Sequence, residues 1–162
     1  MAMGKGQEKK RVIGVVSDTH GLLRPEALEA LRGSDLIIHA GDIGQVEVIE
    51  SLLSIAPVIA IRGNNDKDKW ARKFSETAVV EFGKVRMYVI HNIKELEIDP
   101  AIAGFRVVIS GHSHRPSIVE RDRVLFLNPG SAGPRRFKLP IAVAYLRVRG
   151  ESVSSRIVEL HV

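Results

Sequence analysis

The sequence predicts an α/β fold in which two β-sheets pack together with helices on the outside. Three observations carry that expectation. The first 65 residues alternate short apolar runs with segments of helical periodicity. The later residues hold seven further strand-like runs. Turn residues, and no long interior linker or repeat, separate them all. A chain of 162 residues is long enough to bury a proper core. It is read as one domain, residues 11–162, behind a flexible basic tail, residues 1–10.

Residues 12–16 form an apolar, β-branched run, the first strand. A helix follows over residues 24–31, with Pro25 near its first turn and Leu28 and Leu31 at helical spacing. Gly33 and Ser34 stop it. Residues 36–40 make a second buried strand. Residues 46–55 make a second helix, with Val46, Ile49, Leu52 and Leu53 on its apolar stripe and Pro57 at its end. Residues 58–61 are the third strand. Intervals of about twenty residues between these strands suit right-handed crossovers, so the three should run parallel. Residues 67–74 are charged and read as a short helix. Strands then follow at residues 77–82, 85–90, 105–109, 117–121, 124–127, 141–148 and 152–160, with hairpin turns at Gly83-Lys84 and Arg149-Gly150-Glu151.

Hydrophobic residues make up 44% and charged residues 27% of the chain, an ordinary globular balance. No apolar stretch approaches the roughly 20 residues of a membrane span. The amino end has charge but no apolar segment of a secretory signal. The absence of cysteine removes disulfides, zinc ribbons and thiol nucleophiles, and it suits a reducing cytoplasm. The net charge is +5, but Lys5, Lys9, Lys10 and Arg11 set against Glu8 hold +3 of it in the amino-terminal stretch. With aromatics at 5% and no basic stripe interleaved with them, nucleic acid is disfavoured as a partner. A homo-oligomer stays open.

Five apolar runs lead into a residue able to hold a metal. Residues 12–16 lead through Ser17 to Asp18-Thr19-His20, and residues 36–38 to His39-Ala40-Gly41-Asp42. Residues 58–61 lead to Gly63-Asn64-Asn65-Asp66, residues 87–90 to His91, and residues 107–109 to Gly111-His112-Ser113-His114. In α/β sheets, ligands collect beyond the carboxyl ends of the strands. Pairs two residues apart, as in Asp18/His20 and His112/His114, leave an extended segment on one side and can aim at one spot. Taken singly each motif has a plainer reading, since Asp-x-His also fits a turn-capping Asp beside a surface His. Together and in this order they point to a metal site. Two carboxylates and four imidazoles suit transition metals over magnesium or calcium.

The pattern Asp-x-His, Gly-Asp, Gly-Asn-x-Asp, His and Gly-His-x-His, from Val12 to His114, resembles the calcineurin-like metallophosphoesterases. With Asn128-Pro129-Gly130-Ser131 and the small size, it looks like their compact bacterial and archaeal branch, relatives of Vps29. The resemblance implies a four-layer αββα sandwich of two mixed sheets flanked by helices. It also implies two divalent ions, manganese first, with iron, zinc, nickel or cobalt as alternatives. Asp18, His20, Asp42 and His114 would hold one ion. Asp42, Asn64, His91 and His112 would hold the other, with Asp42 bridging. The ions would activate a bridging hydroxide for in-line attack on a phosphate-ester small molecule. Asn65 and Asp66 would be the catalytic residues beside them. The alternative function is a Vps29-like interaction scaffold with little or no hydrolytic activity.

The chain departs from the family at Asn65, where many catalytic members carry a His that protonates the leaving oxygen or contacts the phosphate. An amide cannot act as a general acid, a role worth ~10²–10⁴-fold. It can still donate a hydrogen bond, and a diester with an easy leaving group suits it. Asn92 stands where Gly commonly follows the His, which implies a small backbone change. His39 is either a strand-end residue bonded to backbone or a partner that orients a ligand. Asn128-Pro129-Gly130-Ser131 is either a plain turn or a loop that presents Asn128 or Ser131 to the cleft. Arg135 and Arg136 are candidates for phosphate or partner contact.

Overall fold

The computed structural model describes residues 9–162. The expected tail, residues 1–10, lies outside the described residues except for Lys9 and Lys10. The alternating first half becomes β1 (Arg11–Val16), α1 (Pro25–Leu31), β2 (Leu36–His39), α2 (Val46–Leu53) and β3 (Val58–Ala60). The charged stretch after β3 is a 3₁₀ segment, Lys69–Lys73. Then come β4 (Thr77–Phe82), β5 (Val85–Ile90), a single 3₁₀ turn at Ile93–Glu95, β6 (Val107–Ile109), β7 (Ser117–Arg121), β8 (Val124–Asn128), β9 (Ala142–Arg149) and β10 (Ser152–Glu159).

The strands form two mixed five-stranded sheets, β10-β9-β1-β2-β3 and β4-β5-β6-β8-β7. The first three strands are parallel, as their crossover spacing predicts, with Val16 opposite His39 and His39 opposite Ala60. β9 and β10 add to β1 as an antiparallel hairpin. In the second sheet β5, β6 and β8 are parallel, and β4 and β7 close the edges antiparallel. The β7–β8 turn uses Asp122 and Arg123, both with positive φ (52° and 66°), as a tight two-residue hairpin turn requires.

Alternation along each strand decides where its side chains go. Ile13, Val15 and Ile38 point between the sheets and meet Met87, Val89, Val107, Ile109 and Leu127 in the main core. Val16, Ile37 and Val143 point the other way and pack against Ala27 and Leu31 of α1 and Ile49 and Leu52 of α2. Both described α-helices therefore cover the first sheet. The outer layer of the second sheet is thinner. There Leu96, just after the Ile93–Glu95 turn, packs on Ile90, Val108 and Val124 beside Tyr88 and Phe126. No described helix is long and apolar enough to cross a membrane.

One edge of this sandwich gathers the strand ends. Beyond β1 and β2 the chain keeps a ladder of backbone bonds, Asp18 N–H to Gly41 O (3.0 Å), His20 N–H to Asp42 O (2.9 Å) and Gly21 N–H to Ile43 O (2.8 Å). On the other sheet Gly111 N–H donates to His91 O (2.9 Å). The loops that carry the candidate ligands are thus fastened to one another as firmly as the strands that deliver them.

Candidate metal centre

Asp18 and Asp42 stand at the middle of the gathered edge, and both are buried. Asp18 Oδ2 accepts from Ser17 Oγ (2.7 Å) and from the His112 N–H (3.0 Å). Its Oδ1 is buried with no hydrogen-bond partner. Asp42 accepts twice from Asn65, through the backbone N–H to Oδ1 (3.0 Å) and the amide Nδ2 to Oδ2 (3.2 Å). Around the carboxylates, His114 Nε2 lies 3.5 Å from Asp18 Oδ1. His20 Nε2 lies 3.7 Å from Asp42 Oδ2. His91 Nε2 lies 3.2 Å from Asp42 Oδ2 and 3.8 Å from Asp18 Oδ1.

Two groups can each offer ligand atoms within 4.8 Å of one another, Asp18/His20/His114 and Asp18/Asp42/His91. Four buried atoms here lack any hydrogen-bond partner: Asp18 Oδ1, His20 Nε2, His91 Nε2 and His114 Nδ1. A buried polar atom without a partner costs about 1–3 kcal/mol. Three of them converge, His20 Nε2 and His91 Nε2 lying 3.9 and 3.8 Å from Asp18 Oδ1, and lone-pair donors of these kinds fit a cation between them. His91 is set for this by its other nitrogen, because Nδ1–H donates to Ala40 O (2.7 Å) and leaves the Nε2 lone pair toward the carboxylates.

Titration follows the same geometry. Burial would raise the Asp42 pKa, but His91, the Asn65 N–H and His20 outweigh it and bring it down to about 2. Burial raises Asp18 above the usual carboxylate range, against the opposing pull of His91. Burial would lower His91, yet the Asp42 and Asp18 carboxylates raise it above an ordinary imidazole. His114 is lowered to about 4, first by burial and then by the charges of Arg136 and His20.

The backbone is strained where the candidate ligands sit. Asp18, His20, Asp42, His112 and His114 have φ between 47° and 72°. Side chains other than glycine occupy this region at a cost of order 1–3 kcal/mol, which concentrates at functional sites. Close approach also explains two glycines. A Cβ at Gly63 would overlap the Asp42 carboxylate, and one at Gly111 would overlap Ser17 and Asp18.

The remaining expected residues take more varied places. Asn64 and His112 are exposed at the rim, lining one cavity together with His91. The His112 ring meets that of His91 at 5.2 Å, edge on. The carboxylate common to the two buried groups is Asp18, whereas Asp42 was the expected bridge; Asp42 Oδ2 nevertheless faces both His20 and His91. Asp66, expected to be catalytic, is buried with both oxygens occupied by backbone. It accepts from Ile43 (3.0 Å), Gly44 (3.0 Å) and Gly63 (2.9 Å). Its place is that of a brace joining the 42–44 and 63–66 loops. Asn65 holds Asp42 from the solvent side.

His39 is fully buried and bonded as the plainer of its two readings has it. Its Nδ1 accepts from the Gly41 N–H (3.1 Å), and its Nε2 lies 3.0 Å from Thr19 Oγ1. Since Thr19 spends its proton on Ile43 O (2.8 Å), Nε2 carries the imidazole proton. Burial, then the charges of His91 and His20, lower its pKa to about 3, so it stays neutral. It ties the ligand loop after β1 to the one after β2. Asn128 and Ser131 do the same elsewhere. Asn128 Nδ2 donates to Gly111 O (2.9 Å) and Ser113 Oγ (3.1 Å), and Ser131 Oγ donates to Asp18 O (3.0 Å). Ser17 and Thr19 escaped the sequence reading, although each adjoins Asp18 in a motif of small polar residues.

Residues 12–151 match the calcineurin-like phosphoesterase superfamily domain. The chain is 34% identical over 159 residues to a probable metallophosphoesterase of Methanothermobacter thermautotrophicus, and the match covers 91% of each. Among solved structures it superposes on an archaeal phosphodiesterase with a TM-score of 0.75 at 26% identity, covering 91% of this chain and 99% of that one. It also superposes on vacuolar protein sorting 29 of Cryptosporidium parvum with a TM-score of 0.80 at 20% identity, covering 94% and 92%. The match along the strand-end motifs and the extent of the relatives agree, and the chain belongs to the calcineurin-like phosphoesterase superfamily.

Proposed function

We propose that this chain is a metal-dependent phosphoesterase that prefers diesters and works at a two-cation centre. The observation that carries the reading is the convergence of unpartnered buried ligand atoms of Asp18, His20 and His91 at the edge where the strand ends gather. Asp18, His20 and His114 would hold one cation, and Asn64, His91 and His112 the other, with Asp42 between them. When bound, two such ions lower the pKa of a water and clamp the attacking and leaving oxygens of an in-line displacement. The mixed imidazole and carboxylate donors suit transition metals; the resemblance to the family puts manganese first, then iron, zinc, nickel or cobalt.

The chain's own groups orient this centre. The Ala40 carbonyl fixes the His91 ring, the Ser17 hydroxyl and His112 N–H fix Asp18, and Asn65 fixes Asp42. Hydrolysis of a diester consumes one water, breaks one P–O ester bond and yields a monoester and an alcohol. With an amide at position 65 and not an imidazole, the alcohol oxygen leaves without a proton from that position. That favours diesters with acidic leaving groups, in keeping with the archaeal phosphodiesterase likeness.

The test is hydrolysis of bis-p-nitrophenyl phosphate with added manganese by the wild type and by Asp42→Ala. Loss of at least 10²-fold in the variant is expected. Equal rates would sink the enzyme reading and favour the interaction scaffold, which rests on likeness of fold alone.

A further inference from the structure

Two cavities meet at His112 and Lys94. The larger, about 740 Å³, contains His91 and Asn64 and is mixed in charge, with Arg62 and Lys94 beside Glu76, Glu95 and Glu97. The other, about 400 Å³, carries Lys94, Arg115 and Arg136 with Phe137, and no acidic side chain among its described lining. Its volume falls in the range of small-ligand sites.

The loop that supplies Arg136 and Phe137 is anchored. At its root Ser131 Oγ donates to Asp18 O, and Gly133 packs so tightly on the Asp18 and Thr19 carbonyls that a Cβ there would overlap them. Arg24 Nη1 donates to the carbonyls of Ala132 (3.1 Å) and Gly133 (2.6 Å). At its tip Arg135 Nη1 donates to Leu139 O (3.1 Å), and Leu139 N–H to Arg136 O (3.1 Å). Phe137 rides on this closed turn with a left-handed φ of 55° and is 87% exposed. Exposing a whole phenyl ring on a strained, fixed turn is unfavourable for the free protein. A planar ligand would recover that area.

We propose that the cavity beside Phe137 is the subsite for one ester arm of the substrate, and that this arm is a nucleotide. The nucleobase stacks on Phe137, and a further phosphate meets Arg115 and Lys94. Stacking on an aromatic ring tolerates any base, and cations without acidic neighbours select an anionic arm. The substrate is then a nucleotide diester. This assignment deepens the hydrolytic reading above and rests on it for the arm's role.

Two experiments test it. In the first, metal-free protein is titrated against fluorescent ethenoadenosine monophosphate. Saturable quenching is expected, weakened about tenfold in Phe137→Ala and restored in Phe137→Trp. Quenching that is absent, or equal in wild type and Phe137→Ala, overturns the subsite. In the second, with manganese present, kcat/KM is compared for the p-nitrophenyl ester of thymidine monophosphate and for methyl p-nitrophenyl phosphate. The leaving group is the same, so the ratio reports the other arm. The wild type should favour the thymidine ester, and Phe137→Ala should cut the ratio about tenfold through KM. An unchanged ratio overturns the assignment. Saturable, Phe137-dependent binding without hydrolysis of either ester keeps the subsite and sinks the phosphoesterase reading alone.

Discussion

Asn65 shows how one residue sets what a centre can do. Its backbone N–H and one amide hydrogen are held by Asp42, and an amide is not an acid, so this position supplies no proton to a departing oxygen. The rate should therefore fall steeply as the leaving group becomes more basic, measurable with a series of substituted phenyl methyl phosphates. Asn65→His should flatten that dependence and raise the slowest members by about 10²-fold. A slope equal in both proteins would show that the proton comes from elsewhere. His39 makes a different prediction, about pH. Its folded pKa of about 3 lies below the ordinary 6.5, so between these values the unfolded chain binds a proton that the folded chain refuses. Its share of stability is full above pH ~6.5 and is lost as pH falls toward ~3. In urea unfolding of metal-free protein, the advantage of wild type over His39→Gln should shrink by roughly 2 kcal/mol between pH 7.5 and 5. Residues that end an apolar strand and can bind metal announce themselves in a sequence. Asp66 did not announce its role, because a carboxylate that faces metal and one that braces three N–H groups are spelled alike. Only its position three after Gly63, the spacing of a turn that closes on its own side chain, hinted at the second.

At the scale of elements, most of the architecture was legible because each strand is a branched apolar run bounded by turn residues. The reading was least accurate where packing decides. The run at 105–109 pairs only from Val107, and the second helix stops at Leu53, two residues short, where Ser54 already caps it. Residues 92–104 have no periodicity to read, and they form single turns over the second sheet. The ligand loops were legible as positions but not as conformations, since five left-handed residues leave no sequence signature. Their strain has a measurable consequence. His112→Gly, at an exposed site with φ 72°, should stabilise the metal-free protein by about 1 kcal/mol while weakening metal binding. Thermal unfolding with and without manganese would separate the two effects, and a destabilised metal-free variant would refute the strain argument. Asp66→Ala should do the reverse of relief. It strands three backbone donors and should cost roughly 3 kcal/mol or more, with loss of metal binding because the Asp42 loop is no longer held.

For the molecule as a whole, the proposed centre would couple metal to stability through its unpartnered atoms. At a hundredfold excess over its dissociation constant a bound ion adds about 2.7 kcal/mol, which for a chain of this size raises Tm by about 5–10 °C. Chelation should reverse the shift, and Asp18→Ala should abolish it. A wild type whose Tm ignores added manganese would count against the centre. The order of strands adds something of another kind. β1 lies at the middle of the first sheet, but its partner β9 is translated after every candidate ligand, as is Ser131, which braces the Asp18 loop. A nascent chain that already displays all seven donors still lacks half of the framework that aims them. On the ribosome, then, such a chain is expected to hold ions loosely and indiscriminately. The choice of metal would be made only once the final hairpin closes the sheet around them.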